Sequence, residues 1–153
     1  MADIDVRIVR LESLRVAAAL AYGADPEPQV WDTLLTWARA HNLLDVTPAP
    51  RFFGFNNPDP APGTPNHGYE QWMTVGPQVA GEGSVKIKDF PGGLYAVARC
   101  DGLPNPEIWG RLAAWRESSR YKCAPHQWLE ECLTPGAEPQ AGWVFDLHLP
   151  IAE

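Results

Sequence analysis

A repeat at constant spacing constrains the fold of this chain more than any other feature. The segment "PEPQVWDTLLTW" begins at Pro26 and "PNPEIWGRLAAW" begins at Pro104, so matching residues are 78 positions apart (104 − 26 and 115 − 37). Within each segment Trp, Leu and Trp recur every three residues, which places them on one face of a helix. The prolines suit a first helical turn, and Asn105 is a predicted N-cap. The sequence therefore predicts two helices, at 28–41 and 106–119.

Strand-like runs surround each predicted helix in the same order. "DVRIVRL" and "LRVAAALAY" precede the first helix, and "RFFGFN" and "YEQWMTV" follow it. "SVKIKDF" and "GGLYAVARC" precede the second helix, and "HQWLEECL" and "WVFDLHLPI" follow it. Both halves read β-β-α-β-β. We therefore predict a single α+β domain, 1–153, with pseudo-repeats at 1–77 and 84–153. It should have an eight-stranded, mostly antiparallel sheet, two main helices and a central ligand groove between the halves.

The charge balance excludes several classes of partner. The formal net charge is −7, from 12 Lys and Arg against 19 Asp and Glu, and no basic cluster is present. A nucleic-acid backbone or an anionic membrane surface therefore has little to bind, whereas neutral or cationic partners are favoured. The first residues contain no apolar signal region and no stretch is long enough to span a membrane. A cytoplasmic location is predicted.

The sequence also argues against metal, cofactor and phosphate sites. Cys123, His126 and Cys132 lie close together but lack a fourth ligand at a typical spacing. The adjacent glycines of "FPGGLY" join two strands and open no helix, so they predict a hairpin turn and not a phosphate cradle. No serine lies in a Gly-x-Ser-x-Gly context. We predict neither a metal nor a cofactor.

The segment "HQWLEECL" contains the most informative polar residues, the adjacent carboxylates Glu130 and Glu131. Strand alternation places Glu130 on the same face as Trp128 and opposite Glu131. A carboxylate beside aromatic faces suits an organic cation. Raised in pKa by burial, the same group would suit a general base. A third reading is a structural carboxylate bonded to the backbone or to Arg.

The chain resembles the GyrI-like family of small-molecule-binding domains over nearly its whole length. The resemblance is carried by the repeated helices, "FFGFNNPDPAPGTPNHGYEQWMTV", "FPGGLYAVARC", "HQWLEECL" and "FDLHLPI". The family occurs alone and as the effector-binding C-terminal domain of AraC- and MerR-type regulators. A Glu in the strand after the second helix is associated with ligand recognition, and Glu130 occupies that place. The family pattern Glu-x-Tyr-Leu reads Glu130-Glu131-Cys132-Leu133 here, which implies a different ligand preference.

The residues and the resemblance together predict a protein that senses or sequesters small molecules. Its ligands should be aromatic, cationic or amphipathic, and the predicted ligand-binding residues are Glu130, Trp72, Trp109, Trp128, Tyr95 and Phe53. The alternative, implied by relatives that hydrolyse strained cyclopropane-bearing toxins, is a hydrolase with Glu130 as general base. Binding is favoured over catalysis because no second polar group can be assigned. No helix-turn-helix pattern precedes Val6, so we expect that the protein either stands alone or acts with a separate regulator or protein partner that carries any DNA-binding function.

Overall fold

The computed structural model describes residues 4–135 and 142–153. The elements are, in chain order, β1 (Arg7–Leu11), β2 (Leu14–Gly23), α1 (Pro26–Ala40), β3 (Phe52–Asn56), β4 (His67–Thr74), β5 (Lys86–Phe90), β6 (Gly93–Asp101), α2 (Pro106–Ser118), β7 (Lys122–Cys123), β8 (Leu129–Cys132) and β9 (Val144–Ala152). The predicted α+β class and the duplicated β-β-α-β-β order are confirmed, with the two-residue β7 as an addition. Both helices begin and end within two residues of the predicted bounds. No helix in the described ranges is long and apolar enough to cross a membrane.

The chain divides into two compact units that do not follow the order of the sequence. The terminal unit contains Met1–Ser13 and Pro91–Glu153, and the central unit contains Leu14–Phe90. The strand order is β1-β6-β9-β8 in the terminal unit and β5-β2-β4-β3 in the central unit, with every pair antiparallel. β1, the first strand of the first pseudo-repeat, therefore pairs within the terminal unit, which is built mainly from the second pseudo-repeat. β5, the first strand of the second pseudo-repeat, pairs within the central unit, which is built mainly from the first. The hairpin prediction for "FPGGLY" is wrong, because β5 pairs with β2 while β6 pairs with β1.

In the terminal unit, α2 packs on β6 and β9. The helix begins as the sequence predicts, because the Asn105 side chain accepts a hydrogen bond of 3.0 Å from the backbone N–H of Ile108. This cap satisfies one of the helix's free N–H groups and fixes its first turn. Leu112 of α2 is fully buried, as are Leu147 and Leu149 of β9.

In the central unit, α1 packs on β2 and β4. Val30, Leu34 and Ala38 are buried at spacings of four along the helix. On β2, Ala17 and Ala19 share one face and are also buried. Their small side chains let the helix approach the sheet closely, which explains why the alanine-rich run "LRVAAALAY" forms a strand despite the weak strand preference of alanine.

A histidine ties the beginning of β4 to the beginning of α1. His67 Nε2 lies 2.8 Å from Glu27 Oε2, and His67 Nδ1 lies 2.9 Å from the Pro65 carbonyl oxygen. Both partners only accept hydrogen bonds, so the contacts favour a ring protonated at both nitrogens. The hydrogen bond to Glu27, followed by that to Pro65, raises the pKa of His67 above its ordinary value.

This pair should make the stability of the chain depend on pH near neutrality. A raised folded-state pKa means that the contribution is complete below about pH 6.5 and is lost as the pH rises through the folded value. Replacing Glu27 with Gln should therefore lower the free energy of unfolding by about 0.5–1 kcal/mol at about pH 5.5, and by less at about pH 8.5. Urea unfolding at both values measures this. Glu107→Gln is the control, since Glu107 occupies the first turn of α2 but pairs with Arg111. An equal cost of Glu27→Gln at both pH values would contradict the prediction.

Candidate functional site

Glu130 of β8 and Trp109 of α2 are in direct contact. The indole Nε1–H of Trp109 donates a hydrogen bond of 3.2 Å to Glu130 Oε2. Trp109 lies in the first turn of α2, and its backbone N–H donates to the Asn105 carbonyl at 3.3 Å. Glu130 is half-buried, whereas the neighbouring Glu131 is buried. The helix start and the strand therefore hold a partly accessible carboxylate beside an indole.

Trp128 completes this cluster, which we call the Glu130 site (Trp109, Trp128 and Glu130). The rings of Trp109 and Trp128 lie 5.1 Å apart between centroids and are tilted by 41°. Trp128 remains 43% exposed, which is high for so large an apolar side chain. The predicted strand "HQWLEECL" begins only at Leu129, so Trp128 reaches the cluster from the segment before β8. The exposed ring of Trp128 thus lies beside the indole that donates to the Glu130 carboxylate.

Tyr95 does not join the Glu130 site. It pairs across β6 and β9 with Pro150 and contacts the ring of His148, which lies opposite Leu129 in β8. Alternation therefore places Tyr95 on the face of the sheet opposite Glu130. Its side chain is fully buried and its hydroxyl donates to the Gln127 carbonyl. Burial raises the pKa of Tyr95.

Phe53 and Trp72, the remaining predicted ligand residues, belong to the central unit. They are cross-strand partners in β3 and β4, and both are buried. The Trp72 indole donates at 2.7 Å to Glu70, which also accepts 2.7 Å from the Lys88 ammonium. Trp72 further contacts the ring of Phe55 edge-on at 5.0 Å. A role for Phe53 and Trp72 in ligand binding stays a prediction.

The sequence reasoning missed an ionic cluster in the terminal unit, in which two half-exposed arginines pair with the buried carboxylate of Asp146. Asp146 Oδ1 lies 2.6 Å from Arg99 Nε, and Asp146 Oδ2 lies 2.8 Å from an Arg7 guanidinium nitrogen. Burial alone would raise the pKa of Asp146, but the guanidinium groups of Arg99 and Arg7 outweigh it and hold the pKa below its ordinary value. The alternation of "FDLHLPI" puts Asp146 and His148 on one face and so indicates polar side chains there, but it does not identify their distant partners. His148, which is also buried, lies with its Nε2 3.8 Å from Glu131 Oε1.

The two aromatic contacts Trp109–Trp128 and Trp31–Phe52 give residues of the Glu130 site counterparts in the central unit. Taking Trp128 as the counterpart of Phe52 sets an offset of 76 residues between the strands, and the pairing of Phe53 with Trp72 and of Leu129 with His148 agrees with it (129 − 53 and 148 − 72). By this offset Glu130 corresponds to Gly54. The aromatic contact is repeated, because Trp31 and Phe52 lie 5.3 Å apart between ring centroids. The carboxylate is not repeated.

Tyr69 occupies the space over Gly54. A Cβ atom added to Gly54 would overlap the Tyr69 hydroxyl and lie 2.6 Å from two of its ring carbons. Tyr69 is buried, so its ring has little freedom to move away. The duplicated framework therefore carries a carboxylate in the terminal unit and a tyrosine ring at the corresponding position of the central unit.

Within the described ranges, no group of three or more His, Cys, Asp or Glu side chains could hold a metal ion. The three residues that the sequence placed near one another, Cys123, His126 and Cys132, differ in their surroundings. Cys123 is exposed and Cys132 is buried. His126 contacts the Leu94 carbonyl at 2.8 Å through Nε2.

Comparison with known families gives a match over most of the chain. The family described as Cass2, integron-associated effector binding protein, matches residues 7–151. A search of curated proteins found no match.

Solved structures with the same fold cover nearly the whole chain at low sequence identity. The EcmrR C-terminal domain is 14% identical, with a TM-score of 0.72 and 98% of each chain covered. A hydrolase from Listeria innocua is 12% identical, with a TM-score of 0.70, covering 99% of this chain and 94% of that one. SAV2435 bound to tetraphenylphosphonium is 10% identical, with a TM-score of 0.59, covering 97% and 94%. At identities this low, the structural similarity establishes a shared fold alone, and this fold agrees with the predicted GyrI-like domain.

Proposed function

Since the chain belongs to the family of integron-associated effector binding proteins, we propose that it binds a small aromatic cation at the Glu130 site. The observation that carries this proposal is the Trp109–Glu130 hydrogen bond beside the exposed face of Trp128. An indole N–H is a neutral donor, so the bond leaves the negative charge of Glu130 in place. Charge and aromatic surface together are what an organic cation requires.

The overall charge supports the same class of ligand. With a net charge of −7 the chain attracts cations before contact and repels anions of similar shape. SAV2435, which shares the fold, is described as bound to tetraphenylphosphonium, a delocalised aromatic cation. That compound is therefore a suitable probe for the Glu130 site.

The experiment is a calorimetric titration of the chain with tetraphenylphosphonium and, separately, with the uncharged triphenylphosphine oxide. We expect measurable binding of the cation and affinity at least about tenfold lower for the neutral compound, because only the cation gains the charge contact. Equal affinity for both would mean that the site recognises aromatic surface alone. Failure of both to bind would contradict the proposal.

The hydrolase alternative needs a second polar group near Glu130. The hydroxyl of Tyr95 does not supply it, because it donates to the Gln127 carbonyl and Tyr95 lies on the face of the sheet opposite Glu130. Burial raises the pKa of the Cys100 and Cys132 thiols, which makes both poor nucleophiles at neutral pH. Incubation with a strained cyclopropane electrophile, followed by mass spectrometry, separates the two functions. Turnover that is lost in Glu130→Gln would replace the binding proposal with the hydrolytic one.

A further inference from the structure

The second half of β2, in the central unit, has an open edge. β5 pairs with β2 only from Leu14 to Ala18, whereas β4 pairs with it as far as Gly23. On the side of β5, the described parts of the chain therefore place no strand beside β2 from Ala19 to Gly23. An open strand edge presents backbone N–H and C=O groups that can pair with another strand.

The register shows which backbone groups face this edge. The Val75 N–H donates to the Arg15 carbonyl at 3.0 Å, in line with the pairing of β2 and β4. Residues of an antiparallel strand direct their backbone groups to its two sides alternately, so Arg15 and every second residue after it face β4. Leu20 and Tyr22 belong to the other set, and their backbone groups face the open edge.

The side chains of Leu20 and Tyr22 are the most exposed large apolar groups of the described residues, at 57% and 63%. They lie on one face of the sheet because they are two residues apart. Opposite Tyr22 in β4 is Gly68, which has no side chain to cover the tyrosine ring. Unpaired backbone groups and apolar surface therefore occur at the same place.

The strands with which β2 can be compared carry charges on their open edges. Arg10 is exposed on β1, which pairs with β6, and Lys86 and Lys88 are exposed on β5. Charged side chains on an edge strand oppose pairing with another chain. The stretch of β2 from Ala19 to Gly23 reads "ALAYG" and contains no charged residue. Its composition is that of an interface.

We propose that this edge pairs with the same edge of a second copy of the chain, as two antiparallel strands related by a two-fold axis at Ala21. Leu20 of each copy then lies opposite Tyr22 of the other, and these residues exchange their backbone hydrogen bonds across the axis. The exposed side chains of Leu20 and Tyr22 cover each other as cross-strand pairs. A second copy is the partner because the apolar residues lie symmetrically about Ala21.

The ends of this pairing also fit. Gly23, the last residue of β2, would lie opposite Ala19, and Lys86 of β5 takes the next position, opposite Ala18. The strand ends at this point, and the chain continues through the exposed Asp25 to α1. Asp25 of each copy therefore comes close to Lys86 of the other, and their opposite charges favour the pairing.

Sedimentation velocity between about 1 µM and 1 mM protein tests the proposal, at about 0.15 M salt, where repulsion between chains of net charge −7 is screened. The wild type should dimerise with a Kd on the order of 10–100 µM, because so short a contact belongs to the weak class of interfaces. Tyr22→Lys should weaken association at least about tenfold, because it places a charge at the centre of the contact.

Ile8→Lys is the matched control for Tyr22→Lys. Ile8 is also an exposed apolar residue of a strand with an open edge, but it lies on β1. This variant should dimerise as the wild type does. A wild type that stays monomeric over the whole range, or equal losses in the two variants, would overturn the proposal.

Exchanging the charges at the ends of the contact tests its register. Asp25→Lys and Lys86→Asp should each weaken association, because each places like charges together at both ends. An equimolar mixture of the two variants should associate as the wild type does, since each end of the mixed pair again joins a lysine to an aspartate. A folding defect in either variant could not produce this recovery. A mixture that associates no better than its components would overturn the pairing about Ala21. No ligand is involved, so the result is independent of the proposed function.

Discussion

Replacing Glu130 with Gln is expected to weaken binding of tetraphenylphosphonium by about 1–3 kcal/mol, or roughly 5-fold to 150-fold. The substitution retains the shape of the side chain and an oxygen that can accept the Trp109 N–H. It removes the negative charge, which is the part of the Glu130 site that distinguishes a cation from a neutral aromatic compound. Isothermal titration calorimetry near neutral pH measures the change directly.

Glu107→Gln is the matched control for this substitution. It removes the same charge from the same unit, but Glu107 is exposed in the first turn of α2 and pairs with Arg111 at 3.1 Å. Its effect on affinity should be small, because charges on an exposed helix face are screened by solvent. Affinity for triphenylphosphine oxide should be similar in all three proteins. If Glu107→Gln weakened cation binding as much as Glu130→Gln, the effect would come from net charge and not from the Glu130 site.

The helices and the order of elements could be predicted because both follow from local patterns. The spacing of Trp31 and Trp37, repeated in Trp109 and Trp115, fixes helix faces without knowledge of the rest of the chain. The cap at Asn105 is equally local. Alternation also placed Trp128 and Glu130 on one face, and the structure brings that pair to Trp109.

The pairing of the first strands could not be predicted, since strand pairing is a contact between distant segments. "RIVRL" of β1 and "KIKDF" of β5 have similar patterns, each with basic residues suited to the edge of a sheet. Nothing local distinguishes a partner in the same pseudo-repeat from one in the other. For the same reason the ionic cluster around Asp146 escaped the sequence reasoning, because Arg7 and Asp146 are far apart in the chain and meet across three strands.

Gly92 is the residue on which the exchanged pairing of β1 depends most directly. It precedes β6 at the point where Leu11 pairs with Gly93, and its φ angle is +83°. A Cβ atom on Gly92 would overlap the Leu11 carbonyl oxygen and lie 2.8 Å from backbone atoms of Glu12. These are main-chain atoms, so relief requires β1 to move away from β6. Both the backbone angle and the close approach therefore require glycine.

Gly92→Ala should lower the free energy of unfolding by about 2–5 kcal/mol, combining about 1–2 kcal/mol of backbone strain with about 1–3 kcal/mol from the overlap. Gly102→Ala is the matched control, because Gly102 has a similar φ of +91° in the same unit but open space where its Cβ would lie. That variant should lose only the strain, about 1–2 kcal/mol. Guanidinium unfolding followed by circular dichroism gives both values. Since Arg7 reaches Asp146 from β1, Gly92→Ala should also weaken that ion pair. Arg7→Ala should therefore lower the free energy of unfolding by less in the Gly92→Ala variant than in the wild type. Equal losses for the two glycine variants would mean that β1 is not held close to Gly92 in solution.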